Sequence, residues 1–412
     1  MICEILSVGT ELLMGQVANT DAQYISRRLS ELGVNVFRHT TVGDNPARVK
    51  EALQTALSRS DLVITTGGLG PTEDDLTKEM VAEHFGLPLE LHQPSMDALV
   101  DRMKRIHPDR PLTRNNLKQA YFPAGCIVMP NRRGTAPGCI VEQQGKAVAV
   151  LPGPPRELKD MFEQQLEPYL LKRQEMALSS RFFRVFGVGE SNVETILLDL
   201  FHSENPTLAL YCGAAEVTAR LTASGAPGEN LKPLLDPVEA EIRKRLGDAV
   251  YAEGRDETME GTVLSLLLKR HETIALAESC TGGELSEMLT SCPGASGALV
   301  EGFVTYSNEA KMRTLGVREG TLKAFGAVSE PCAREMAEGA RSATGATWAL
   351  SVTGIAGPDG GTPEKPVGTV YIGLAGPLGA SAQRFQFLGD RAWIRTLSCQ
   401  NALNALRLAL IH

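Results

Sequence analysis

The sequence contains no CxxC pair, no GxxxxGK[ST] loop, no GxGxxG turn after a strand and no HExxH. These absences argue against P-loop nucleotidases, standard dinucleotide oxidoreductases and zincins. Its eight cysteines (Cys3, Cys126, Cys139, Cys212, Cys280, Cys292, Cys332 and Cys399) are scattered, so reduced thiols are expected rather than a zinc site or a disulfide framework. Aromatic residues make up only 5% against 40 glycines, which favours tight turns near ligands over stacking platforms. Basic residues are outnumbered, 41 to 49, for a net charge of -8. Nucleic acid and anionic membrane are therefore not expected as partners. No run of about 18 apolar residues occurs. The first nine residues read directly as a strand with no basic leader, so the expectation is a cytoplasmic protein with no signal peptide and no membrane span.

What is present is ordinary globular material, 43% hydrophobic and 22% charged, in a chain of 412 residues. At roughly 150 residues per domain that length suggests about three domains. The first third alternates strand and helix. Strands are expected at 4–9, 34–42 and 61–66. Helices are expected at 19–33, with Ile25, Leu29 and Leu32 on one face, and at 45–60, with Val49, Leu53 and Leu57 on one face. That order implies a mostly parallel sheet covered on both faces, with ligands beyond the carboxyl ends of its strands. Residues 181–251 read as a small α+β unit. From 257 the alternation resumes, with a helix at 259–270, a strand at 273–277 and a closing helix at 390–410.

Four glycine-bearing stretches mark the expected ligand rim of the first domain. GTELLMG (9–15) places Glu11 just past the first strand. TTGGLGPTEDDLT (65–77) combines Gly67, Gly68 and Gly70, which allow close backbone approach, with Asp74 and Asp75 at the start of a helix. Two carboxylates facing a phosphate need a bridging divalent cation, or else they only complement the helix dipole. NRRGTAPG (131–138) supplies Arg133 and Gly134 for phosphate or carboxylate recognition. LPGPPRE (151–157), with Pro152 and Gly153, is a further ligand turn or simply a rigid entry to the next helix.

In the last third, Ser279 of AESCTGG (277–283) stands at a strand-to-helix turn and is the first nucleophile suggested by spacing. Cys280 is its rival and helix capping the structural alternative. Ser296 follows in PGASG (293–297), then Tyr306 and Lys311 in EGFVTYSNEAK (301–311). With no histidine nearby, a lysine is the available base. A free lysine titrates near ~10.4, so Lys311 serves only if burial lowers it by a few units. Thr353 and Gly354 in a glycine-rich loop, with Arg391 before the last helix, suit a phosphate. In the middle unit the one GxxG, Gly225-Ala226-Pro227-Gly228, follows a strand and lacks flanking basic residues, so a connector or dimerisation role is expected there.

These motifs, with GAVSEP (326–331), VTGIAGPDGGTPEKPVGTVY (352–371) and GDR (389–391), resemble the CinA (competence/damage-inducible protein A) family in order and spacing. The resemblance implies an α/β chain of three parts. A three-layer molybdopterin-binding-like domain would span 1–168, a small α+β KH-type domain 176–252, and an α/β amidohydrolase domain 256–412. It implies metal-dependent hydrolysis of ADP-ribose to AMP and ribose 5-phosphate in the first domain. Glu11, Gly67, Gly68, Gly70, Arg133, Gly134, Pro152 and Gly153 would bind nucleotide there, and Asp74 and Asp75 a divalent metal. In the last domain it implies cofactor-free deamidation of nicotinamide mononucleotide, with Ser296 as nucleophile, Lys311 as base, Tyr306 assisting, and Ser279, Thr353, Gly354 and Arg391 on the substrate. A homodimer is expected. The alternatives are a nucleotide- or pterin-binding regulator or scaffold linked to competence and the DNA damage response.

Overall fold

A computed structural model describes residues 1–106, 114–173, 176–213 and 215–412. The chain forms two units, one of residues 1–179 with 223–231, the other of 180–222 with 232–412.

In the first unit the strand Leu62–Thr66 is buried at every position, and Ile2–Val8 at all but its first. Strands apolar on both faces need cover on both, which a parallel sheet with crossover helices provides. The sheet runs Asn35–Val42, Ile2–Val8, Leu62–Thr66, Lys146–Leu151, Gly138–Gln143, Ile127–Met129. Its first four strands are parallel and the last two antiparallel. Strand residues alternate between faces. Cys3 and Ile5 therefore pack with Ile25 and Leu29 of the helix Thr20–Glu31, whereas Leu6 and Val8 pack with Val49 and Leu53 of the helix Pro46–Arg59. The result is three layers. Both helices start on an asparagine cap, Asn19 accepting from the Ala22 N–H and Asn45 from the Arg48 N–H, each worth about 1 kcal/mol. From Ile2–Val8 the chain moves to one neighbouring strand and then crosses to the other, so the carboxyl end of Ile2–Val8 is a topological switch point.

The middle segment forms a four-stranded sheet in the order Thr207–Cys212, Glu216–Gly225, Ala177–Phe186, Val250–Glu253, with the helices Glu190–Ile196 and Lys232–Leu246. The helix Glu190–Ile196 is followed directly by a 3-10 segment, Leu198–His202. The GxxG sequence is a strand exit, with the Ala226 N–H held by the Glu229 carboxylate at 2.7 Å.

The last sheet runs Leu299–Val304, Ile274–Glu278, Trp348–Gly354, Thr369–Gly376, Gly379–Gln386. Three parallel strands are followed by two antiparallel ones. Ile274 and Leu276 face Val263 and Leu267 of the helix Met259–Arg270 and Leu403 of the helix Arg391–Ile411. Ala275 and Ala277 face Met336, Ala337 and Ala340 of the helix Glu330–Thr344. Small residues on that face let the helix close on the sheet: a Cβ on Gly373 would sit 2.5 Å from the Ala333 carbonyl oxygen. Here too the first parallel strand lies between its two successors, and the residue leaving its carboxyl end is Ser279.

Candidate functional site

The carboxyl ends of the three parallel strands of the last sheet gather one buried lysine and one serine. Lys311, on the first turn of the helix Asn308–Leu315, is 1% exposed. Its Nζ lies 2.9 Å from Ser279 Oγ, 2.7 Å from the Thr305 carbonyl oxygen and 3.2 Å from that of Tyr306. No carboxylate balances it within this set, and burial pushes its pKa below the ordinary lysine value. A neutral amine has two N–H groups and one lone pair. Two carbonyls and the Ser279 hydroxyl oxygen accept the three N–H groups of the charged form, and loss of the proton directed at Ser279 Oγ leaves the lone pair facing that hydroxyl. Ser279 is 9% exposed, and its own N–H donates to the Val352 carbonyl, tying the turn to the neighbouring strand.

The expected pairing of Lys311 with Ser296 is corrected by this geometry. Ser296 sits in a 3-10 turn, Ala295–Gly297, ahead of the strand Leu299–Val304, whereas Lys311 follows that strand's far end. Five residues of paired strand, about 16 Å at ~3.3 Å per residue, separate the level of Ser296 from that of Ser279. Ser279, the serine that spacing suggested first, is the one that lies beside Lys311. Cys280, the rival, has its thiol pushed up to about 11 by burial and stays protonated at neutral pH.

Tyr306 is 65% exposed, and its hydroxyl lies 3.4 Å from an Arg391 guanidinium nitrogen. Arg391 also donates to the Gly357 carbonyl at 2.8 Å, at the edge of the glycine-rich loop. Thr353 does not offer its hydroxyl to a ligand: it donates to the Ala327 carbonyl at 2.9 Å, and the residue is 1% exposed. Gly354 is a packing requirement, since a Cβ there would sit 2.6 Å from Val370. One residue was missed. Arg395, one helical turn after Arg391, donates to the Thr281 carbonyl at 2.6 Å and pairs with Glu284 at 3.2 Å. The signal was its i, i+4 spacing from Arg391 on the last helix.

In the first unit a cavity of about 750 Å³ opens at the switch point. Glu11, Gly67, Gly68, Gly70, Asp74, Asp75, Pro152 and Gly153 all line it. Asp21, Asp44 and Glu157 add three more carboxylates, and among the described residues no lysine or arginine lines it. Asp44 accepts from the N–H and hydroxyl of Thr10, at 2.9 and 2.8 Å. Asp75 accepts likewise from Thr72, at 3.0 and 2.5 Å, and Glu157 accepts from Asn131 at 2.7 Å. Asp21 has one buried oxygen without a partner, and burial pushes its carboxyl up to about 6. Arg133 and Gly134 fall outside this cavity. The Arg133 side chain is 67% exposed beside Asp160, and Gly134 lines an adjoining hollow, where a Cβ would collide with the Glu157 carboxylate. Among the described residues no three histidines, cysteines or carboxylates gather as a cation cage. Asp74, exposed at the rim, and Asp75 fit a cation only if the ligand's phosphates complete its shell.

Three family descriptions match in succession: "Probable molybdopterin binding domain" over residues 4–172, "Damage-inducible protein CinA KH domain" over 180–252 and "CinA C-terminal domain" over 256–410. A "Putative competence-damage inducible protein" of Clostridium novyi (strain NT) is 51% identical over 413 residues, covering 100% of this chain and 99% of its own. The chain belongs to the CinA family. A "CinA-like protein" of Kosmotoga olearia is 48% identical over 412 residues, covering 100% of this CinA chain and 99% of its own. Among solved structures, a CinA superfamily protein from Klebsiella pneumoniae 700603 is 36% identical, covering 37% of this chain and 96% of that one at a TM-score of 0.37. No helix among the described residues of this CinA chain is long and apolar enough to cross a membrane.

Proposed function

We propose that the last domain hydrolyses the carboxamide of nicotinamide mononucleotide, with Ser279 as nucleophile and Lys311 as general base. The observation that carries this reading is the 2.9 Å approach of the buried Lys311 Nζ to Ser279 Oγ. Lys311 takes the hydroxyl proton as Ser279 Oγ bonds to the carboxamide carbon. The C–N bond then breaks as Lys311 returns that proton to the leaving nitrogen, and ammonia departs. Water, deprotonated by the same amine, attacks the ester; Ser279 recovers its proton and nicotinate mononucleotide leaves. Arg391 and Arg395 provide positive charge beside this turn, which suits a phosphorylated substrate. In this reading Arg391 contacts the phosphate, whereas Arg395 holds the Thr281 carbonyl.

For the first domain the reading is hydrolysis of ADP-ribose to AMP and ribose 5-phosphate. Its support is the cavity lined by carboxylates and glycine turns with no cationic side chain, a setting in which a diphosphate needs a divalent cation. When bound, that cation would neutralise the diphosphate. Asp74 and Asp75 would hold it, and the backbone at Gly67, Gly68 and Gly70 would admit the ligand.

The deciding experiment measures ammonia and nicotinate mononucleotide released from nicotinamide mononucleotide by the wild type, Ser279→Ala, Lys311→Ala and Ser296→Ala. Losses of at least about a thousandfold in the first two, with Ser296→Ala close to wild type, are expected. A folded wild type without turnover sinks the amidase reading. Loss in Ser296→Ala with retention in Ser279→Ala sinks the assignment of the nucleophile.

A further inference from the structure

The residue before Ser279 is a carboxylate with no exposure at all. Glu278 ends the strand Ile274–Glu278, and no arginine or lysine pairs with it among the described residues. Its Oε2 accepts from the N–H groups of Gly283 at 2.9 Å and Leu285 at 3.1 Å. Its Oε1 accepts from the N–H of Ser286 at 2.9 Å and the Ser286 hydroxyl at 2.6 Å. These donors open the helix Glu284–Thr290, whose cap position is Gly283, a residue with no side chain to do the capping. Glu278 therefore caps that helix from across the turn, and the helix amides supply the favourable potential that a buried carboxylate needs.

The same residue reaches the other half of the pair. Its carbonyl accepts from the Thr305 N–H at 2.9 Å, and the Thr305 carbonyl is the closest acceptor of Lys311. Gly302 lies opposite: a Cβ there would stand 2.4 Å from Ser286 Oγ, so its glycine leaves room for the hydroxyl that completes the cap. The carboxylate thus holds the end of the turn 279–283 by one hydrogen bond and the helix that follows by three, while the Glu278 carbonyl ahead of the turn is bonded to Thr305, on the way to Lys311.

We infer that Glu278 is a positioning residue that fixes Ser279 Oγ on Lys311 by clamping the turn 279–283 to the helix Glu284–Thr290. This rests on Ser279 being the nucleophile. In Glu278→Gln one carboxylate oxygen becomes an NH2 facing N–H donors, so the clamp opens on one side while volume is kept. A misplacement of about 1 Å at the nucleophile costs up to ~10²-fold in rate.

The test combines steady-state deamidation with covalent labelling of Ser279 by a fluorophosphonate, located by peptide mass analysis, in the full-length protein. The labelling readout needs no assumption about the natural substrate. For Glu278→Gln the expected result is a kcat and a labelling rate both lower by about 10- to 100-fold, with KM within about threefold. Ser286→Ala, which removes only the hydroxyl arm of the clamp, is expected to lower both by a few-fold and to fold normally. Loss confined to thermal stability, with labelling and kcat per folded molecule unchanged in both variants, overturns the proposal while leaving the Ser279 reading intact. A wild type that is not labelled at Ser279 removes the nucleophile assignment and this proposal with it.

Discussion

Lys311 Nζ and Ser279 Oγ stand 2.9 Å apart although 32 residues separate them in sequence. They meet because two parallel strands, Ile274–Glu278 and Leu299–Val304, deliver their carboxyl ends side by side. Proximity of this kind needs a neutral amine to be useful. Turnover of nicotinamide mononucleotide is expected to rise with pH through the titration of Lys311, with a midpoint below the ordinary lysine range because burial lowers it. Lys311→Arg, always protonated, is expected to lose activity about a thousandfold at every pH. A rate profile flat from pH 6 to 10 would rule Lys311 out as the base.

The same burial couples Lys311 to stability. Its folded pKa lies below the unfolded value, so the unfolded chain binds more protons between the two and stability rises with pH across that window. Melting curves of wild type and Lys311→Met should therefore differ by an amount that shifts in favour of the wild type as pH increases from 7 to 10.

Asp21 has the opposite sign. Burial raises its carboxyl from the ordinary 3.8 to about 6, so the folded chain binds the extra proton and stability falls as pH rises through that interval. Asp21→Asn is expected to gain about 1 kcal/mol relative to the wild type at pH 8 over its value at pH 4, a figure reduced for the group's partial exposure. Calorimetry at the two pH values checks it.

Removal of divalent cations separates the two proposed activities. Chelation should abolish ADP-ribose hydrolysis and leave ammonia release untouched, and Asp74→Asn with Asp75→Asn should raise the cation concentration needed for half-maximal rate about tenfold or more. Ammonia release that also vanished on chelation would contradict the serine–lysine chemistry.

Arg391 bears on substrate choice. Arg391→Ala should raise KM for nicotinamide mononucleotide by about 10- to 100-fold and leave the unphosphorylated riboside almost unaffected. Equal losses for both would place the guanidinium elsewhere in the reaction.

Much of the architecture was written in local patterns. Apolar strands ending in glycine, asparagine caps at Asn19 and Asn45, and apolar helix faces placed the layers and the strand ends within a residue or two. Eight of the residues expected in the first site line one cavity for the same reason: they leave strands that lie side by side. Tertiary packing decided the rest. Whether Ser279 or Ser296 meets Lys311 depends on strand direction, and the two serines stand at opposite ends of a paired strand. Thr353 looked like a ligand group because it ends a strand at the right edge, but the Ala327 carbonyl, 26 residues earlier, takes its hydroxyl. Glu278 carried no signal of its own role, since what defines it is the set of N–H groups that converge on it.

The last helix has a consequence for how the site comes into being. Arg391 grips the Gly357 carbonyl and Arg395 the Thr281 carbonyl, so the turn after Ser279 and the glycine-rich loop are both fastened from the first two turns of Arg391–Ile411. During synthesis the serine and the lysine emerge well before either fastening. Both turns can therefore take their final hydrogen bonds only once the chain has been made through residue 395, although Ser279 and Lys311 lie far upstream.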